Sequence, residues 1–296
     1  MKIYFEFNFQ KGAWGGGNQF LKSLRSQLQL KGIYTSNPTN SDIIMFNSHQ
    51  NNNAILSLRR KFPNKKFVHR VDGPMRLYNK MSDRRDDIVY RLNQISDGTV
   101  FQSRYSFDSN IKLGMSKPNK YAIIKNCCDT DIFKTKSHIG TNKKTRIIST
   151  SFSDNVKKGF NTYKFLDDKL DFSKYEYVFA GRPPVKFNNI KTLGRLDTKG
   201  VADELFCSDI YITASENDPC SNSLIEAQTV GIPTIALNSG GHPELTNENS
   251  ELFDNNGELI HKLELVSCNL YKYFSKKSKI LPIDICNQYI SFFNQL

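Results

Sequence analysis

Residues 209–244, DIYITASENDPCSNSLIEAQTVGIPTIALNSGGHPE, decide the fold. They begin with a β-branched and aromatic run that predicts a strand, pass through a polar loop, and continue as a helix that Ser221 or Asn222 can cap. Gly231 and the proline two residues later end the helix, and residues 234–237 predict a second strand. A strand, a helix and a strand in this order predict parallel pairing, because the helical crossover returns the chain to the same end of the sheet.

The same alternation of short apolar runs and helical segments extends along the whole chain. Residues 3–9 and 43–46 predict the first two strands, and residues 20–28 between them have the spacing of an amphipathic helix. The polar stretch from Thr135 to Lys144 has no such period and predicts a linker. We therefore expect an α/β protein with two parallel-sheet units, each with helices on both faces of its sheet.

The length of 296 residues is enough for two domains of about 150 residues each. The mean hydropathy is −0.51, and no apolar run approaches the roughly 18 residues that a membrane-spanning helix needs. The first residues alternate apolar and polar side chains without a small-residue cleavage site, which predicts a strand rather than a signal peptide. Six cysteines without a CxxC pair argue against a disulfide or zinc framework and favour a reducing, cytoplasmic location.

The chain is basic, with 41 Lys and Arg against 29 Asp and Glu and a formal charge of +12. Basic pairs are spread along the length without a helix-turn-helix or RNP signature, so we expect no nucleic-acid partner. We expect most of these side chains to be solvated; attraction to an anionic membrane surface or to a phosphorylated ligand is the alternative. The predicted location is therefore cytoplasmic, with peripheral membrane contact left open.

Two carboxylates of the opening stretch can face one crevice. Ligands of parallel α/β sheets bind at the carboxyl ends of strands, where the N–H groups of a following helix favour a phosphate or diphosphate. Asp218 lies in the loop before the helix and Glu226 lies inside it, and both can accept hydrogen bonds from sugar or ribose hydroxyls. On spacing alone another interpretation is equally good, in which Asp218 caps the helix and Glu226 is a solvated residue.

The stretch resembles the donor-binding signature of retaining glycosyltransferases of family 4, which have the GT-B fold. In that family Glu-x7-Glu is followed by a helix, Gly-x-Pro, a strand and Gly-Gly-x-Pro-Glu. Glu226 stands at the second glutamate, and residues 231–233 and 240–244 follow at the expected spacing. Asp218 replaces the first glutamate and keeps the carboxylate on a shorter side chain. Glu216, two residues earlier, is the alternative functional carboxylate.

Two further segments resemble the family's phosphate-binding elements. Residues 14–18, Trp-Gly-Gly-Gly-Asn, follow the first strand and open a helix, as the family's N-terminal Gly-rich loop does. Residues 149–160 resemble the segment that opens the second domain, and Lys158 matches the lysine of its Lys-Gly pair. Ser153 stands where the family commonly has an arginine, so the second cation is left open between Lys157 and a nearby arginine.

Residues 126–133 resemble the family's Asn-Gly-Val-Asp segment, where the chain leaves the first domain. Residues 129–131, Asp-Thr-Asp, also form a DxD, the metal-binding signature of the other major glycosyltransferase fold. We interpret this DxD as structural, because its surroundings match the metal-independent family. Cys127 and Cys128 stand where the family has Gly and Val, and we expect both to be small buried residues.

One candidate comes from the first domain. Residues 67–74 end a predicted strand on the cleft side, where many members of the family place a histidine against the donor sugar. By strand register Asp72, rather than His69, takes that position, and Arg70 points the same way. We therefore predict that Asp72 acts in catalysis, with His69 as a minor candidate.

The resemblance implies a GT-B protein with two Rossmann-like domains that face each other across a cleft. Residues 1–136 are expected to present the acceptor side and residues 137–275 to hold the nucleotide sugar, while residues 276–296 form a helix that packs back on the first domain. The implied reaction is retaining, metal-independent transfer of a hexose-like sugar from a UDP- or GDP-type donor. The acceptor is a glycan, a lipid-linked molecule or another hydroxyl compound, and no cofactor is expected.

The resemblance also implies which residues form the site. The catalytic residues are Asp218, Lys158 and Asp72. The donor-binding residues are Gly15, Gly16, Gly17, Lys158, Asp218, Ser221, Asn222, Ser223, Leu224 and Glu226. Two alternative functions are a nucleotide-sugar epimerase of the same fold and a non-catalytic basic binding protein.

Overall fold

A computed structural model describes residues 1–12, 15–137, 143–274 and 280–296. The chain forms two compact units. Unit 1 consists of residues 1–10, 20–126 and 282–296, and unit 2 consists of residues 11–19 and 127–281. Three predicted features lie outside the described residues: Trp14 of the Gly-rich loop, positions 138–142 of the linker, and the first residues of the C-terminal segment.

Unit 1 contains a parallel sheet of five strands in chain order. The strands are β1 (Ile3–Glu6), β2 (Ile43–Asn47), β3 (Lys66–Val71), β4 (Gly98–Phe101) and β5 (Tyr121–Ile123). Ile3 of β1 pairs with Ile43 on one side and forms a parallel bridge with Tyr34 on the other. After β1 the chain first passes Tyr34 on one side of β1 and then forms β2 on the other side. The strand order therefore reverses between β1 and β2, which is the switch point of this sheet.

Helices connect these strands. They are α1 (Gly16–Leu30), α2 (Asn52–Lys61), α3 (Met75–Tyr78), α4 (Arg85–Gln94) and α5 (Arg104–Lys112). Every residue of β2 is buried, and Ile44 and Phe46 pack with Ile55 of α2 in one core cluster. Burial on both faces explains why the strands read as nearly continuous apolar runs rather than as alternating patterns.

Unit 2 contains six parallel strands in the order β11-β10-β9-β6-β7-β8. The strands are β6 (Thr145–Ser151), β7 (Tyr175–Gly181), β8 (Lys191–Gly194), β9 (Ile210–Thr213), β10 (Thr234–Leu237) and β11 (Ser250–Phe253). The helices are α6 (Phe160–Lys169), α7 (Thr198–Phe206), α8 (Asn222–Val230), α9 (His242–Leu245), α10 (Asn256–Cys268) and α11 (Leu270–Phe274). Ile147 belongs to the core cluster on one face of this sheet and Ile148 to the cluster on the other. The predicted α/β class is confirmed.

The C-terminal helix α12 (Pro282–Phe293) belongs to unit 1. The ring of Tyr289 lies 6.1 Å from that of Phe20 in α1, measured between centroids. Phe292 packs so closely over Gly98 that a Cβ on the glycine would lie 2.9 Å from the Phe292 ring. None of the helices in the described ranges is long and apolar enough to span a membrane.

Candidate functional site

Two loops meet at the switch point of the unit 2 sheet. The first follows β6 and carries Lys157 and Lys158, and the second follows β9 and carries Glu216 and Asp218. β6 and β9 are neighbours in the sheet, although β7 and β8 come between them in the chain. Their carboxyl ends are therefore where an open α/β sheet leaves a crevice for a ligand.

Two ion pairs join these loops. Lys158 Nζ lies 3.1 Å from Asp218 Oδ2, and Lys157 Nζ lies 2.5 Å from Glu216 Oε2. The Lys158–Asp218 pair is the more buried one, with side-chain exposures of 20% and 13% against 34% and 44%. The structure thus brings the predicted Lys158 and Asp218 together, and it pairs the two alternatives, Lys157 and Glu216, with each other.

Two glycines let backbone approach backbone around the Asp218 loop. Gly159 has a φ of +81°, and a Cβ there would lie 2.2 Å from the carbonyl oxygen of Ala214. Gly240 has a φ of +63°, and a Cβ there would lie 2.4 Å from the carbonyl oxygen of Asp218. The N–H of Gly241 donates to that same oxygen at 2.8 Å. The Lys-Gly and Gly-Gly pairs of the sequence therefore hold this loop in position.

The Asp218 carboxyl is ionised at neutral pH. Burial raises its pKa, but the ammonium group of Lys158, His242 and the N–H of Cys220 together outweigh burial, so the net shift is downward. Its Oδ1 accepts the N–H of Cys220 at 3.2 Å. His242 is buried close by, where burial lowers the pKa of its imidazole. The more buried ion pair of the site therefore holds one negative charge against one positive charge.

The first turn of α8 adjoins the Asp218 loop in the chain. Ser221 is the N-cap, since its Oγ accepts the N–H of Leu224 at 3.4 Å and also lies 3.2 Å from Ser223 Oγ. Leu224 is fully buried in the core, whereas Asn222 and Ser223 are half-buried. The opening of α8 therefore offers backbone N–H groups and small polar side chains, a combination that suits an anionic ligand.

The Gly-rich loop packs against this turn. Residues 11–19 belong to unit 2, and a Cβ on Gly16 would lie 2.3 Å from Asn222 Nδ2. Apart from the adjacent residues and the backbone of the same helix, no described atom lies within 4 Å of the Cβ position of Gly15 or Gly17. Gly16 is therefore required for close packing, while the described part of the chain leaves space open beside Gly15 and Gly17. The sequence alone did not indicate that Asn222 is the residue that meets the loop.

Glu226 lies in the second turn of α8. Its side chain is half-buried, and burial raises the pKa of its carboxyl to about 8. Within the part of the chain that the structure describes, no group donates a hydrogen bond to this carboxylate. A carboxyl group in this state can accept hydrogen bonds from the hydroxyls of a ligand without giving up an internal contact.

Glu226 is expected to destabilise the folded protein as the pH rises from about 5 to about 8. The unfolded chain loses this proton near pH 4.5, whereas the folded chain keeps it until about pH 8, so unfolding becomes easier across that window. Glu226→Gln should remove the effect, and its gain in Tm over the wild type should be larger at pH 8 than at pH 5. Thermal unfolding without ligand measures this, with Glu216→Gln as the exposed control. Equal gains at both pH values would contradict the assignment.

The carboxyl edge of the unit 1 sheet carries a separate polar cluster around the fully buried Arg70. Arg70 Nη1 lies 3.0 Å from Asp72 Oδ1 and donates to Asn47 Oδ1 at 2.5 Å, and its Nη2 donates to Asn126 Oδ1 at 2.7 Å. Asp72 also accepts a hydrogen bond from Gln102. Sequence reasoning missed Asn47, Gln102 and Asn126. Their shared signal is a polar amide at the end of an apolar strand or just after it.

The remaining residues that the sequence analysis singled out make contacts within the protein that are typical of a structural role. His69 is fully buried and stacks on Phe46 with ring centroids 4.4 Å apart, and burial lowers its pKa to about 3. Asp129 Oδ1 accepts the N–H of Asp131 at 2.9 Å, as in a local turn. Cys127 is buried, as predicted. Among the described residues no three His, Cys, Asp or Glu side chains are grouped so that they could hold a metal ion.

Residues 186–278, about a third of the chain, match the family model described as Glycosyl transferases group 1. This range includes the Asp218 loop and α8 but not Lys158 or the Gly-rich loop. A search of curated proteins found no match.

Solved structures show the fold of the whole chain. Sucrose-phosphate synthase from Thermosynechococcus elongatus matches with a TM-score of 0.77 at 12% identity, covering 99% of this chain and 98% of that one. Anabaena Alr3699/HepE, solved in complex with UDP-glucose, matches with a TM-score of 0.75 at 15% identity over 100% of both chains. TarM matches with a TM-score of 0.63 at 15% identity, covering 85% of this chain and 54% of that one. The two parallel-sheet units thus have the GT-B glycosyltransferase fold.

Proposed function

We propose that this chain is a retaining glycosyltransferase of the family 4 type. It would transfer a hexose-like sugar from a nucleoside diphosphate sugar to a hydroxyl acceptor on a glycan or a lipid-linked molecule. The observation that carries the proposal is the buried Lys158–Asp218 pair at the switch point of unit 2, next in the chain to the opening of α8. The UDP-glucose bound by Alr3699/HepE supports a donor of this class.

The proposed reaction breaks the bond between the anomeric carbon and the diphosphate oxygen. Negative charge then grows on the departing diphosphate, where Lys158 and the N–H groups of the first turn of α8 would stabilise it. The open space at Gly15 and Gly17 would let the backbone approach the same phosphates. The acceptor oxygen bonds to the anomeric carbon, and its proton passes to an oxygen of the departing phosphate. No carboxylate acts as a covalent nucleophile.

The carboxylates have separate roles in this proposal. Asp218, beside Lys158, would bind the hydroxyls of the donor sugar. Glu226, in the second turn of α8, would accept hydrogen bonds from the ribose. Asp72, held by Arg70 at the carboxyl edge of unit 1, would act in catalysis from that unit.

Thermal shift with UDP-, GDP- and ADP-sugars tests the proposed donor class. A donor at 100 times its Kd adds about 2.7 kcal/mol to the free energy of unfolding, and one base should raise Tm more than the other two. The free nucleoside diphosphate of that base should also raise Tm. A panel in which no nucleotide or nucleotide sugar changes Tm would contradict the proposal.

Transfer is expected to continue in the presence of EDTA. Lys158 and the helix N–H groups would carry out the charge stabilisation that a bound metal ion performs in other glycosyltransferases. Initial rates with and without EDTA, using a dialysed enzyme, measure this. Loss of turnover that Mn²⁺ or Mg²⁺ restores would overturn the metal-independent mechanism. The DxD that begins at Asp129 would then be the candidate metal site.

A further inference from the structure

The net positive charge of the protein lies almost entirely in one unit. Unit 1 contains 20 Lys and Arg against nine Asp and Glu, whereas unit 2 contains 21 against 20. Random scatter of solvated lysines would give both units a similar excess. Such an asymmetry is typical of a protein whose basic part meets an anionic surface.

Within unit 1 the excess gathers at the amino-terminal edge of the sheet. Helices that run antiparallel to the strands end there, and three of them carry basic residues in their last turn: Arg59, Arg60, Lys61, Arg91 and Lys112. Cations at helix ends stabilise the helix dipole, which is a sufficient structural reason for these five. It does not explain the loops between them.

The loops at the same edge are also basic. They contribute Lys2, Lys31, Lys65, Lys66, Lys117 and Lys120. Only two acidic residues of unit 1 lie at this edge, Asp42 before β2 and Asp97 before β4. Asp97 is already paired, with its Oδ2 3.1 Å from Arg59 Nη1. We call this edge the basic face.

A cavity of about 450 Å³ opens in the basic face, at the start of β3 and β4. Lys66, Lys117 and Lys120 line it together with Asn93, Asn119 and Asp97. Lys120 Nζ donates to a backbone carbonyl of the C-terminal segment at 2.7 Å, but no described carboxylate forms an ion pair with any of the three lysines. The Asp97 carboxylate in this lining is already paired with Arg59, so the three ammonium groups leave the cavity positively charged, which suits a phosphate ester.

An exposed leucine distinguishes between anionic partners. Leu30, the last residue of α1, is 78% exposed and precedes Lys31 at the same edge. A soluble polyanion offers nothing apolar to cover this side chain, whereas the interface of a lipid bilayer does. An apolar side chain among lysines therefore favours a membrane surface over a nucleic acid or another soluble polyanion.

We propose that the basic face docks unit 1 on a bilayer rich in anionic phospholipids, with a headgroup phosphate in the cavity between Lys66, Lys117 and Lys120. Each lysine near such a surface adds to the attraction, and Leu30 enters the interface. The face lies at the opposite edge of the sheet from the Asp72 cluster. Docking would therefore leave the carboxyl edge of unit 1 uncovered.

Vesicle co-sedimentation of the full chain tests the docking. The protein should bind vesicles of phosphatidylcholine with phosphatidylglycerol, should not bind vesicles of phosphatidylcholine alone, and should be released by salt. Lys66→Gln, Lys117→Gln and Lys120→Gln combined should weaken binding by on the order of a hundredfold. An unchanged Tm would show that this variant is folded.

A matched control removes the same net charge from unit 2. Lys169→Gln, Lys186→Gln and Lys191→Gln combined replace three exposed lysines and should bind like the wild type. Equal loss in both triple variants, or binding to phosphatidylcholine alone, would overturn the proposal. So would stronger, lysine-dependent binding to soluble polyphosphate. The assay contains no sugar donor, so its failure is distinct from failure of the proposed transfer reaction.

A second variant tests the apolar contact. Leu30→Ser keeps every charge and should reduce vesicle binding most at high salt, where the attraction of the lysines is screened. Arg60→Gln should show the reverse, with its loss largest at low salt. Salt dependences that coincide would overturn the role of Leu30 and, with it, the choice of a bilayer.

Discussion

Asp218→Asn is expected to reduce sugar transfer by on the order of 100- to 1,000-fold while sparing the affinity for free nucleoside diphosphate. The substitution removes the charge that faces Lys158 but keeps an oxygen for the N–H of Cys220. Lys158 then loses its ion pair with Asp218 but keeps its charge for the phosphates. Because the free diphosphate has no sugar, it makes no use of the group that is lost.

Glu226→Gln should show the complementary pattern. Ribose hydroxyls donate best to the ionised carboxylate, so the wild type should bind nucleoside diphosphate more tightly as the pH rises toward 8, where the carboxyl loses its proton. The variant should bind more weakly above that pH, by about 1.5 to 3 kcal/mol, and without the pH dependence. This loss should apply to the donor and to the free diphosphate alike.

Calorimetry with free UDP and GDP, beside a donor-hydrolysis assay, distinguishes the two carboxylates. Glu216→Gln is the matched control, because its partner is Lys157 and its side chain is 44% exposed. The outcome that contradicts the assignment is a silent Asp218→Asn together with a Glu216→Gln that abolishes turnover. The sugar-binding carboxylate would then be Glu216.

Lys158→Ala is the second change with a large expected effect. It should weaken diphosphate binding and lower kcat, with a total cost of about 1.5 to 3 kcal/mol. The reason is that the negative charge on the departing diphosphate, which Lys158 would stabilise, grows in the transition state. It should also lower Tm, since Asp218 keeps a poorly solvated charge without a cation. Lys157→Ala should do much less, because its ion pair with Glu216 is more exposed.

The double variant Lys158→Ala with Asp218→Asn separates stability from catalysis. Removing both charges should recover most of the Tm that Lys158→Ala loses, since no unpaired charge is left. Transfer should stay low, because neither the phosphates nor the sugar has its charged partner. Equal effects of Lys157→Ala and Lys158→Ala on kcat would contradict the assignment. They would show that Lys157 and Lys158 are both solvated side chains without a specific role at the diphosphate.

The sequence by itself determined the order of elements and the type of chemistry. Ser221 and Gly231 bound α8 as predicted, because capping and a left-handed terminus are properties of single residues and their nearest neighbours. Apolar runs such as residues 43–46 identified strands buried on both faces. The sequence showed the Gly-Gly pair before His242 as a motif. It did not show that Gly240 lets the backbone approach the carbonyl oxygen of Asp218.

Only the tertiary structure decided which residues meet. The pairing of Lys158 with Asp218, the contact of Gly16 with Asn222, and the polar cluster around Arg70 each join segments far apart in the chain. The basic face is of the same kind, because lysines scattered along the sequence share one edge once the strands are parallel. Such contacts depend on strand order and on the direction in which the sheet switches. A short stretch of sequence determines neither the strand order nor the switch in direction. Both depend on the fold as a whole, and the fold sets the distances over which side chains interact.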